Sequence, residues 1–395
     1  MAESADYASR VRVALGSGPV MTTLEAQLAA LPADFRKILS TCGFDADRLT
    51  RLAEPLRQGV TADNLVKGII TPPTAADVMQ LPAPGTAEHA RLTALGRGAL
   101  ERGEYALVVL AGGMATRMGG VVKALVDALP GKSFLDLRLR EVEVIRERYG
   151  ALPPLWLMTS QSTDEKIKAA LGARRKGDDV ATFLQELSVR LTADGNVFLD
   201  AEGQPSEHAP GHGDLPDALK RSGLLERFVQ RGGKTLMMTN IDNLGGTLDP
   251  LILGFHLAHG LPVTSEVVDK LGSDRGGIPV RVDDQPVVLE EFRIPPSFDP
   301  ATVRVFNTNV FHFDARALLE LEMSWTFFTV NKKVDGQGVI QFERLVNEVC
   351  SVLPTKYLHL PRTGERSRFL PVKDNEELAA RAPEIELIAR HNGWI

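Results

Sequence analysis

The sequence predicts an α/β protein built on a mostly parallel sheet and preceded by a helical N-terminal segment. Three short, almost wholly apolar runs support this prediction: ALVVL at 106–110, LPPLWLMTS at 152–160 and KTLMMTNID at 234–242. A strand that is buried on both faces has such a continuous apolar pattern. Segments with helical periodicity lie between the runs, and this alternation is typical of a parallel sheet.

The residues before the first run are predicted to be helical. LEAQLAAL at 24–31 and RLTALGRGALERG at 91–103 have helical spacing, and prolines at 32, 55, 72 and 73 interrupt the region. We therefore divide the chain into a helical segment over 1–100, an α/β domain over 101–355 and a short C-terminal segment over 356–395.

Further elements follow the first strand. FLDLRLREVEVIRERYG at 134–150 and TDEKIKAALGARRKG at 163–177 are predicted helices, whereas VVLEEFRI and VRVFNTNVFHF, both after residue 260, predict an extension of the sheet. Parallel sheets bind ligands at the carboxyl ends of their strands. Because the apolar runs lead into glycine-rich or polar loops, we expect the functional cleft along that edge.

Composition limits the possible partners. The 395 residues are 44% hydrophobic and 24% charged, and the net charge of −6 provides no basic field for nucleic acid or anionic lipid. No apolar stretch approaches the roughly 18 residues of a membrane span, and the start lacks the apolar core of a secretory leader. We therefore expect a cytoplasmic protein. Cys42 and Cys350 lie in separate predicted helices, which favours two buried thiols over a disulfide or a metal site.

The loop after the first strand has the features of a phosphate-binding loop. Gly112 and Gly113 offer unhindered backbone N–H groups, and Arg117 and Lys123 add positive charge, a combination that suits a triphosphate. The segment is neither a G-x-x-x-x-G-K loop nor the dinucleotide G-x-G-x-x-G. By itself, a glycine pair after a strand is equally typical of a structural turn.

Two other segments have ambiguous local chemistry. PGHGD at 210–214 is a tight turn around His212, and in isolation an ordinary turn histidine is the simpler interpretation. Asp242 follows the third apolar run beside Asn240, where a carboxylate can either bind Mg²⁺ or cap a helix.

The order of the motifs resembles the UTP–glucose-1-phosphate uridylyltransferase family. LAGGMATRMG matches the family's glycine-rich signature and FLDLRLREVE the helix that follows it. Further matches occur in the family's order, over roughly residues 70 to 375: LMTSQSTDE, PGHGD, TNIDNLGG, VFNTN, NKKVDG, GVIQFE and RSRFLPVK. The resemblance implies a Rossmann-like, GT-A-like nucleotidyltransferase fold, with the catalytic domain over 101–355.

The resemblance also implies roles for individual residues. Gln185 and the Gly213 backbone would contact the base edge, while His212 would reach the phosphate or sugar side and Asp242 would bind Mg²⁺ as the cofactor. The hexose hydroxyls would be held by Gly276, Gly277, Glu290, Asn307 and Asn309, with Asn240 lining the cleft. Phosphates would be contacted by Arg117, Lys123, Lys333 and Lys373, assisted by Arg366 and Arg368.

The implied reaction joins a nucleoside triphosphate, with UTP favoured, to a sugar 1-phosphate, most simply glucose 1-phosphate, and releases pyrophosphate. Three alternatives remain open: the same chemistry with GTP or ATP, the same chemistry with another sugar or a cyclitol 1-phosphate, and a catalytically silent nucleotide-sugar sensor. A Rossmann-type dehydrogenase is disfavoured by the glycine spacing.

The chain departs from the family at three places. Ala115 stands where the family usually has glycine, and the segment before Lys123 is one residue shorter and lacks the family's proline. The chain also ends about twenty residues after FLPVK, whereas eukaryotic members continue into a C-terminal β-helix used in assembly. We therefore expect no β-helix domain and a monomer or small homo-oligomer.

Overall fold

The computed structural model describes residues 23–60, 63–115 and 118–395. The strands, in chain order, are β1 Ile70–Thr71, β2 Val78–Gln80, β3 Tyr105–Leu110, β4 Met114–Ala115, β5 Val121–Val122, β6 Asp127–Leu129, β7 Lys132–Ser133, β8 Leu155–Thr159, β9 Val180–Leu184, β10 Ser188–Val189, β11 Glu207–His208, β12 Thr235–Asn240, β13 Val263–Asp269, β14 Gly277–Val282, β15 Gln285–Glu290, β16 Val305–Asp314, β17 Phe328–Val334, β18 Gln337–Glu343 and β19 Thr355–His359. The α-helices are α1 Leu24–Ala29, α2 Ala33–Thr41, α3 Ala46–Arg57, α4 Ala87–Glu101, α5 Phe134–Tyr149, α6 Asp164–Leu171, α7 Leu215–Ser222, α8 Leu224–Gln230, α9 Pro250–His259, α10 Ala315–Glu320 and α11 Asn375–Asn392.

The centre of the fold is an eight-stranded sheet in the order β2-β19-β13-β16-β12-β3-β8-β9. Every neighbouring pair is parallel except the two that contain β16. The three apolar runs form β3, β8 and β12, which lie next to one another and are almost completely buried. The predicted mostly parallel α/β sheet is therefore confirmed.

Contacts divide the chain into two compact units. The larger unit comprises 65–184, 219–323 and 347–395 and contains the whole eight-stranded sheet, while the smaller unit comprises the described residues up to 64 together with 185–218 and 324–346. Strand β2 lies before the predicted boundary at residue 100, and β19 begins at the predicted boundary at residue 355. The two strands pair with each other inside this sheet.

The helix α5 shows how the sequence fixes an element of the larger unit. Ser133 caps its first turn by accepting a hydrogen bond from the Asp136 N–H at 3.1 Å, and the Asp136 carboxylate accepts one from the Ser133 N–H at 3.1 Å. The helix ends at Gly150, whose φ of 83° suits glycine. Its apolar face joins the sheet and α11 in one core, which includes Phe134, Val142 and Ile388.

The smaller unit contains the N-terminal helices α1 to α3 and the hairpin of β17 and β18. The helices bury Leu24, Leu49 and Ala53. The Gln27 side chain links them to the following segment, because its Nε2 donates to Asn196 Oδ1 at 2.8 Å and its Oε1 accepts from the Val197 N–H at 2.9 Å. Pro55 lies inside α3 and does not end it.

Both cysteines are buried thiols, as expected, and neither forms a disulfide. Among the described residues, no helix is long and apolar enough to cross a membrane.

The packing of α4 on α9 depends on two glycines. A Cβ atom on Gly96 would lie 1.8 Å from the Pro250 carbonyl oxygen, and one on Gly254 would lie 1.8 Å from the Leu92 carbonyl oxygen. The two helix backbones are therefore in direct contact, and no side chain fits between them.

We expect Gly96→Ala to lower the free energy of unfolding by at least about 2 kcal/mol, because the helices must move apart to admit the methyl group. Gly98→Ala on the same helix is the matched control, since its Cβ would approach only the mobile end of the Arg102 side chain. This control should gain up to about 1 kcal/mol from helix propensity. Urea denaturation measures both variants, and an equal effect of the two would contradict the direct backbone contact.

Candidate active site

The structure distributes the predicted site residues between the two units. The larger unit holds Gly112, Gly113, Lys123, Asn240, Asp242, Gly276, Gly277, Glu290, Asn307, Asn309 and Lys373, and the smaller unit holds Gln185, His212, Gly213 and Lys333. Arg117 lies outside the described residues.

The glycine loop follows β3 at the carboxyl edge of the sheet. The Ser160 hydroxyl donates to the Gly112 carbonyl at 2.9 Å, and a short hairpin places Ala115 opposite Val121. Gly113 is exposed, its φ is not positive, and a Cβ atom there would meet no protein atom within 4 Å. Neither backbone strain nor packing requires glycine at 113, and the open space beside it allows a ligand to approach the backbone closely.

Lys123 and Asp242 form an ion pair at this edge. The Lys123 Nζ atom lies 2.7 Å from Asp242 Oδ2, and the two side chains are 20% and 10% exposed. The Val372 N–H donates to the same oxygen at 3.3 Å, and the Lys123 N–H donates to the Gly113 carbonyl at 3.3 Å. The pair therefore joins the glycine loop to the turn that follows β12.

Asp242 does not cap a helix. The next helix, α9, begins at Pro250, and its cap is Asp249, whose Oδ1 accepts from the Leu251 N–H at 2.7 Å. The capping alternative for Asp242 is thus wrong, and its carboxylate points to Lys123 instead.

Arg138 holds the turn after β12 in place. Its buried guanidinium donates to the Gly246 carbonyl at 2.8 Å and to the Asn243 carbonyl at 2.6 Å, while Glu141 accepts a further bond at 2.7 Å. The Asn243 amide in turn donates to the Arg368 carbonyl at 3.1 Å and accepts from the Leu370 N–H at 2.8 Å. Asp242 is therefore fixed from both sides of the turn.

Sequence reasoning missed Arg138 and Glu141, although a signal was present. Positions 134, 138, 141 and 145 lie on one face of a helix by the spacing of four, three and four, and this face begins with Phe134 and ends with Ile145. An arginine and a glutamate between two buried apolar residues must find partners inside the protein.

The predicted sugar residues Gly277, Glu290 and Asn307 lie together. Gly277 is opposite Glu290 in the pair of β14 and β15. A Cβ atom on Gly277 would lie 2.8 Å from Glu290 Oε1 and 3.4 Å from Asn307 Nδ2. A side chain at 277 would thus fill the space between a carboxyl and an amide.

Three asparagines connect this group to the end of β12. The Asn309 side chain donates to Asn240 Oδ1 at 3.1 Å, and its backbone N–H donates to Asn307 Oδ1 at 3.3 Å. Asn309 has a φ of 58°, a left-handed conformation that asparagine tolerates better than most residues. The Ser265 hydroxyl also donates to Asn307 Oδ1 at 3.1 Å. The structure therefore brings Asn240, Asn307 and Asn309 into one polar chain.

The Glu290 carboxyl is half-buried and weakly paired. Burial is the main cause that raises the pKa of Glu290 to about 7; the carboxylates of Glu348 and Glu291 contribute to the rise, and Arg293 opposes it. Its one hydrogen-bond partner among the described residues is the Asn347 amide, at a long 3.5 Å. The group therefore changes its protonation near neutral pH.

In the smaller unit, Gln185 and His212 are the residues predicted to contact the base and the phosphate or sugar. Each has a polar side-chain group that makes no hydrogen bond to the described residues. Gln185 is only 8% exposed, and its amide makes no hydrogen bond to the described residues. The Val346 N–H donates to His212 Nδ1 at 3.1 Å, and burial lowers the pKa of His212 to about 4. His212 is therefore neutral at pH 7 and carries its proton on Nε2, where it can donate a hydrogen bond.

The two glycines of PGHGD serve packing within the smaller unit. The Gly213 N–H donates to the Arg344 carbonyl at 3.0 Å, and a Cβ atom on Gly213 would lie 2.6 Å from the Arg344 carbonyl carbon. Gly211 has a φ of 89° and lies against the same backbone. The Gly213 N–H is thus already paired with the protein.

The predicted phosphate contacts have different environments. Lys333 is exposed on β17, and the pleat of the strand directs Lys332 to the opposite face of the hairpin. Lys373 is exposed beside Val372. For Arg368 the prediction is wrong, because its buried guanidinium makes two bonds to Glu266, both at 2.7 Å, and donates to Thr247. Arg366 is exposed and reaches Asp249 at 3.3 Å.

Known proteins share this arrangement of elements and motifs. Residues 71–388 match the model of the family described as UTP–glucose-1-phosphate uridylyltransferase. The chain belongs to this family. Two curated relatives with that name come from Encephalitozoon cuniculi, 30% identical over 74% of this chain, and from Saccharomyces cerevisiae, 30% identical over 70%. The chain spans only 60% and 58% of the length of these relatives.

Solved structures of related enzymes share the fold. UDP-glucose phosphorylase of Trypanosoma brucei has a TM-score of 0.70 at 22% identity and covers 87% of this chain and 77% of its own. A variant of UDP-glucose pyrophosphorylase from Leishmania major has a TM-score of 0.71 at 24% identity and covers 91% of this chain and 79% of its own. These likenesses confirm the predicted nucleotidyltransferase fold.

The raised pKa of Glu290 predicts a pH-dependent cost to stability in this uridylyltransferase family member. Below pH 4.5, the ordinary value, the carboxyl is protonated in both the folded and the unfolded chain. Between pH 4.5 and about 7 only the unfolded chain releases the proton, so the free energy of unfolding falls as the pH rises. We expect Glu290→Gln to gain up to about 2 kcal/mol relative to wild type across that range.

Urea denaturation of both proteins between pH 4.5 and 8 measures this difference. Glu322→Gln, at an exposed glutamate of the same unit, is the control and should show a difference from wild type that is independent of pH. A pH-independent difference for Glu290→Gln would contradict the assignment.

Proposed function

We propose that this chain transfers the uridylyl group of UTP to the phosphate of glucose 1-phosphate, forming UDP-glucose and releasing pyrophosphate. The observation that carries the proposal is the Lys123–Asp242 pair beside the open glycine loop, at the carboxyl edge of a parallel sheet. Membership of the family, and curated relatives that are named UTP–glucose-1-phosphate uridylyltransferase, support this activity over the alternatives with other nucleotides or a silent sensor.

The glycine loop and the exposed cations would hold the phosphates. Gly113 leaves room for backbone to approach a phosphoryl oxygen, and Lys123 lies at the end of the same loop. In this proposal Lys123, together with Arg117, neutralises the departing pyrophosphate, while Lys333 and Lys373 contact the remaining phosphate oxygens. The free ammonium groups of Lys333 and Lys373 are suited to that role because both side chains are exposed.

Asp242 is the residue that would hold Mg²⁺. Among the described residues, no group of three or more His, Cys, Asp or Glu side chains could hold a metal ion. Asp242 Oδ1 accepts no hydrogen bond from that part of the chain, and Mg²⁺ commonly needs only one or two protein carboxylates when phosphates and water complete its octahedron. The donor set therefore fits Mg²⁺ bound jointly with a nucleotide. Bound there, the ion would supply charge neutralisation at the phosphates.

The base and the sugar would be recognised by neutral polar groups. The unpaired amide of Gln185 has the donor and the acceptor that the imide edge of uracil requires. The Nε2–H of neutral His212 would donate to a phosphate or sugar oxygen. Glu290, Asn307 and Asn309 supply the carboxyl and amide groups that hydroxyls of a hexose need, and the glycine at 277 keeps the space between them open.

The chemistry needs no nucleophile from the protein. A phosphate oxygen of the sugar 1-phosphate attacks the α-phosphorus of UTP, the new P–O bond forms, and the bond to pyrophosphate breaks in line with it. The chain's contribution is to align the two substrates and to balance the charge that moves to the leaving group.

The direct test is a matrix of UTP, GTP and ATP against glucose, N-acetylglucosamine and cyclitol 1-phosphates, with pyrophosphate release measured with and without Mg²⁺. We expect UTP with glucose 1-phosphate to be the fastest pair and to require Mg²⁺. A faster rate with another pair would change the substrate assignment, and no release from any pair would favour the sensor.

Asp242→Asn serves as the site variant in this assay. It removes the charge of the carboxylate and retains its shape, so we expect the rate to fall by at least about a hundredfold, the range seen when one electrostatic group is lost. Asp127→Asn, at an exposed aspartate of the same unit, should retain the wild-type rate. Normal turnover by Asp242→Asn would exclude Asp242 as the metal ligand.

A further inference from the structure

The Lys123–Asp242 ion pair has a consequence for the order in which ligands bind. The Lys123 ammonium occupies Oδ2 of the one carboxylate that is available for Mg²⁺ at this position. We propose that the Lys123 ammonium takes the place of a metal ion on Asp242. Lys123 thereby keeps divalent metal off the carboxylate and releases it when a nucleotide binds. This inference rests on the proposed assignment of Asp242.

The Asp242 carboxylate is largely buried and has few contacts. The carboxylate is 10% exposed, and Lys123 is its only ion-pair partner among the described residues. The remaining contact with Oδ2 is the neutral Val372 N–H at 3.3 Å. A carboxylate that is so far removed from water needs a positive partner. Lys123 supplies that charge in the ligand-free site.

A metal ion on Asp242 and the Lys123 ammonium would repel each other. A divalent ion on Asp242 would lie within a few ångströms of an ammonium group that is itself 2.7 Å from Oδ2. Like charges at such separations repel strongly in a partly buried site, where water screens them less. Metal binding therefore requires Lys123 to move away from the carboxylate, and in the ligand-free chain that movement leaves the ammonium without its partner.

The glycine loop provides a place to which the Lys123 ammonium can move. The Lys123 backbone N–H is bonded to the Gly113 carbonyl at 3.3 Å, so the base of the side chain is tied to the glycine loop. The side chain is 20% exposed, and rotation about its bonds can turn the ammonium from Asp242 to an anion above that loop. A triphosphate bound at the loop offers such an anion.

Together these steps predict positive coupling between the nucleotide and the metal. The nucleotide draws Lys123 off Asp242, and it also supplies phosphate oxygens that the protein does not provide as metal ligands. By linkage, each ligand must then strengthen the binding of the other. Metal alone should bind the wild-type chain weakly.

The test uses Mn²⁺ alone, without nucleotide or sugar, and follows the signal of free Mn²⁺ by electron paramagnetic resonance. We expect Lys123→Met to bind Mn²⁺ at least about tenfold more tightly than wild type. Lys123→Arg, which keeps a cation on the carboxylate, should remain weak. Asp242→Asn combined with Lys123→Met should lose the gain. If Lys123→Met does not fold, Lys123→Gln replaces it.

Lys132→Met controls for net charge, because Lys132 is an exposed lysine on β7 in the same unit. Its Mn²⁺ affinity should equal that of wild type. The proposal is overturned if Lys123→Met binds Mn²⁺ no better than wild type, or if Lys132→Met gains as much.

A second measurement follows the ammonium to the nucleotide. Calorimetric titration of UTP in the presence of EDTA should show binding about tenfold weaker for Lys123→Met than for wild type and unchanged binding for Lys132→Met. Equal UTP affinity in wild type and Lys123→Met would overturn the transfer of Lys123 to the nucleotide. The Mn²⁺ result needs neither substrate, so it stands even if UTP and glucose 1-phosphate give no turnover.

Discussion

The buried guanidinium of Arg138 is the interaction on which the candidate site depends. It donates hydrogen bonds to the carbonyls of Gly246 and Asn243, in the turn between β12 and α9. These bonds take the place of the sheet and helix hydrogen bonds that the turn lacks. A turn at this depth would otherwise leave polar backbone groups unpaired. Because the turn is fixed, Asp242 lies at one defined place, and the chain segment from Arg368 to Val372 can be held along it.

This arrangement also explains how the site can be rigid and still offer polar groups to a ligand. Glu141 neutralises Arg138 and accepts from the Leu248 N–H at 2.7 Å, so the ion pair that supports the turn is also bonded to the backbone. The groups that face the glycine loop lack protein partners: Asp242 Oδ1 accepts no hydrogen bond from the described part of the chain, and Gly113 is next to open space. A site whose supporting residues are fixed and whose ligand-facing groups have no protein partner is preorganised for ligands.

The sequence predicted the sheet well because β3, β8 and β12 are buried on both faces, and such strands have continuous apolar runs. It also predicted the group of Gly277, Glu290 and Asn307, although only through family resemblance, since no local pattern encodes the strand register that places Gly277 opposite Glu290. It could not predict that Arg368 is committed to Glu266. That bond depends on a buried polar cluster, in which His312 contacts both Glu266 and Tyr105, and no local pattern encodes it.

Two contacts fix the glycine loop, whose sequence departs from that of the family: the pairing of Ala115 with Val121 and the ion pair of Lys123 with Asp242. Ala115 is buried and pairs with Val121, and its carbonyl accepts from the Gly120 N–H at 3.0 Å, so the alanine is accommodated in a short hairpin. Lys123 still reaches Asp242 after the shortened segment. The departure therefore leaves the Lys123–Asp242 ion pair in place.

We propose that this chain transfers a nucleotidyl group directly, by alignment and charge, with no covalent intermediate on the protein. Exchange of labelled pyrophosphate into UTP tests it most directly. We expect exchange when glucose 1-phosphate is present and none when it is omitted, because pyrophosphate can re-enter UTP only by attack on UDP-glucose. Exchange in the absence of any sugar phosphate would reveal a nucleotidyl-protein intermediate and would rule out direct transfer.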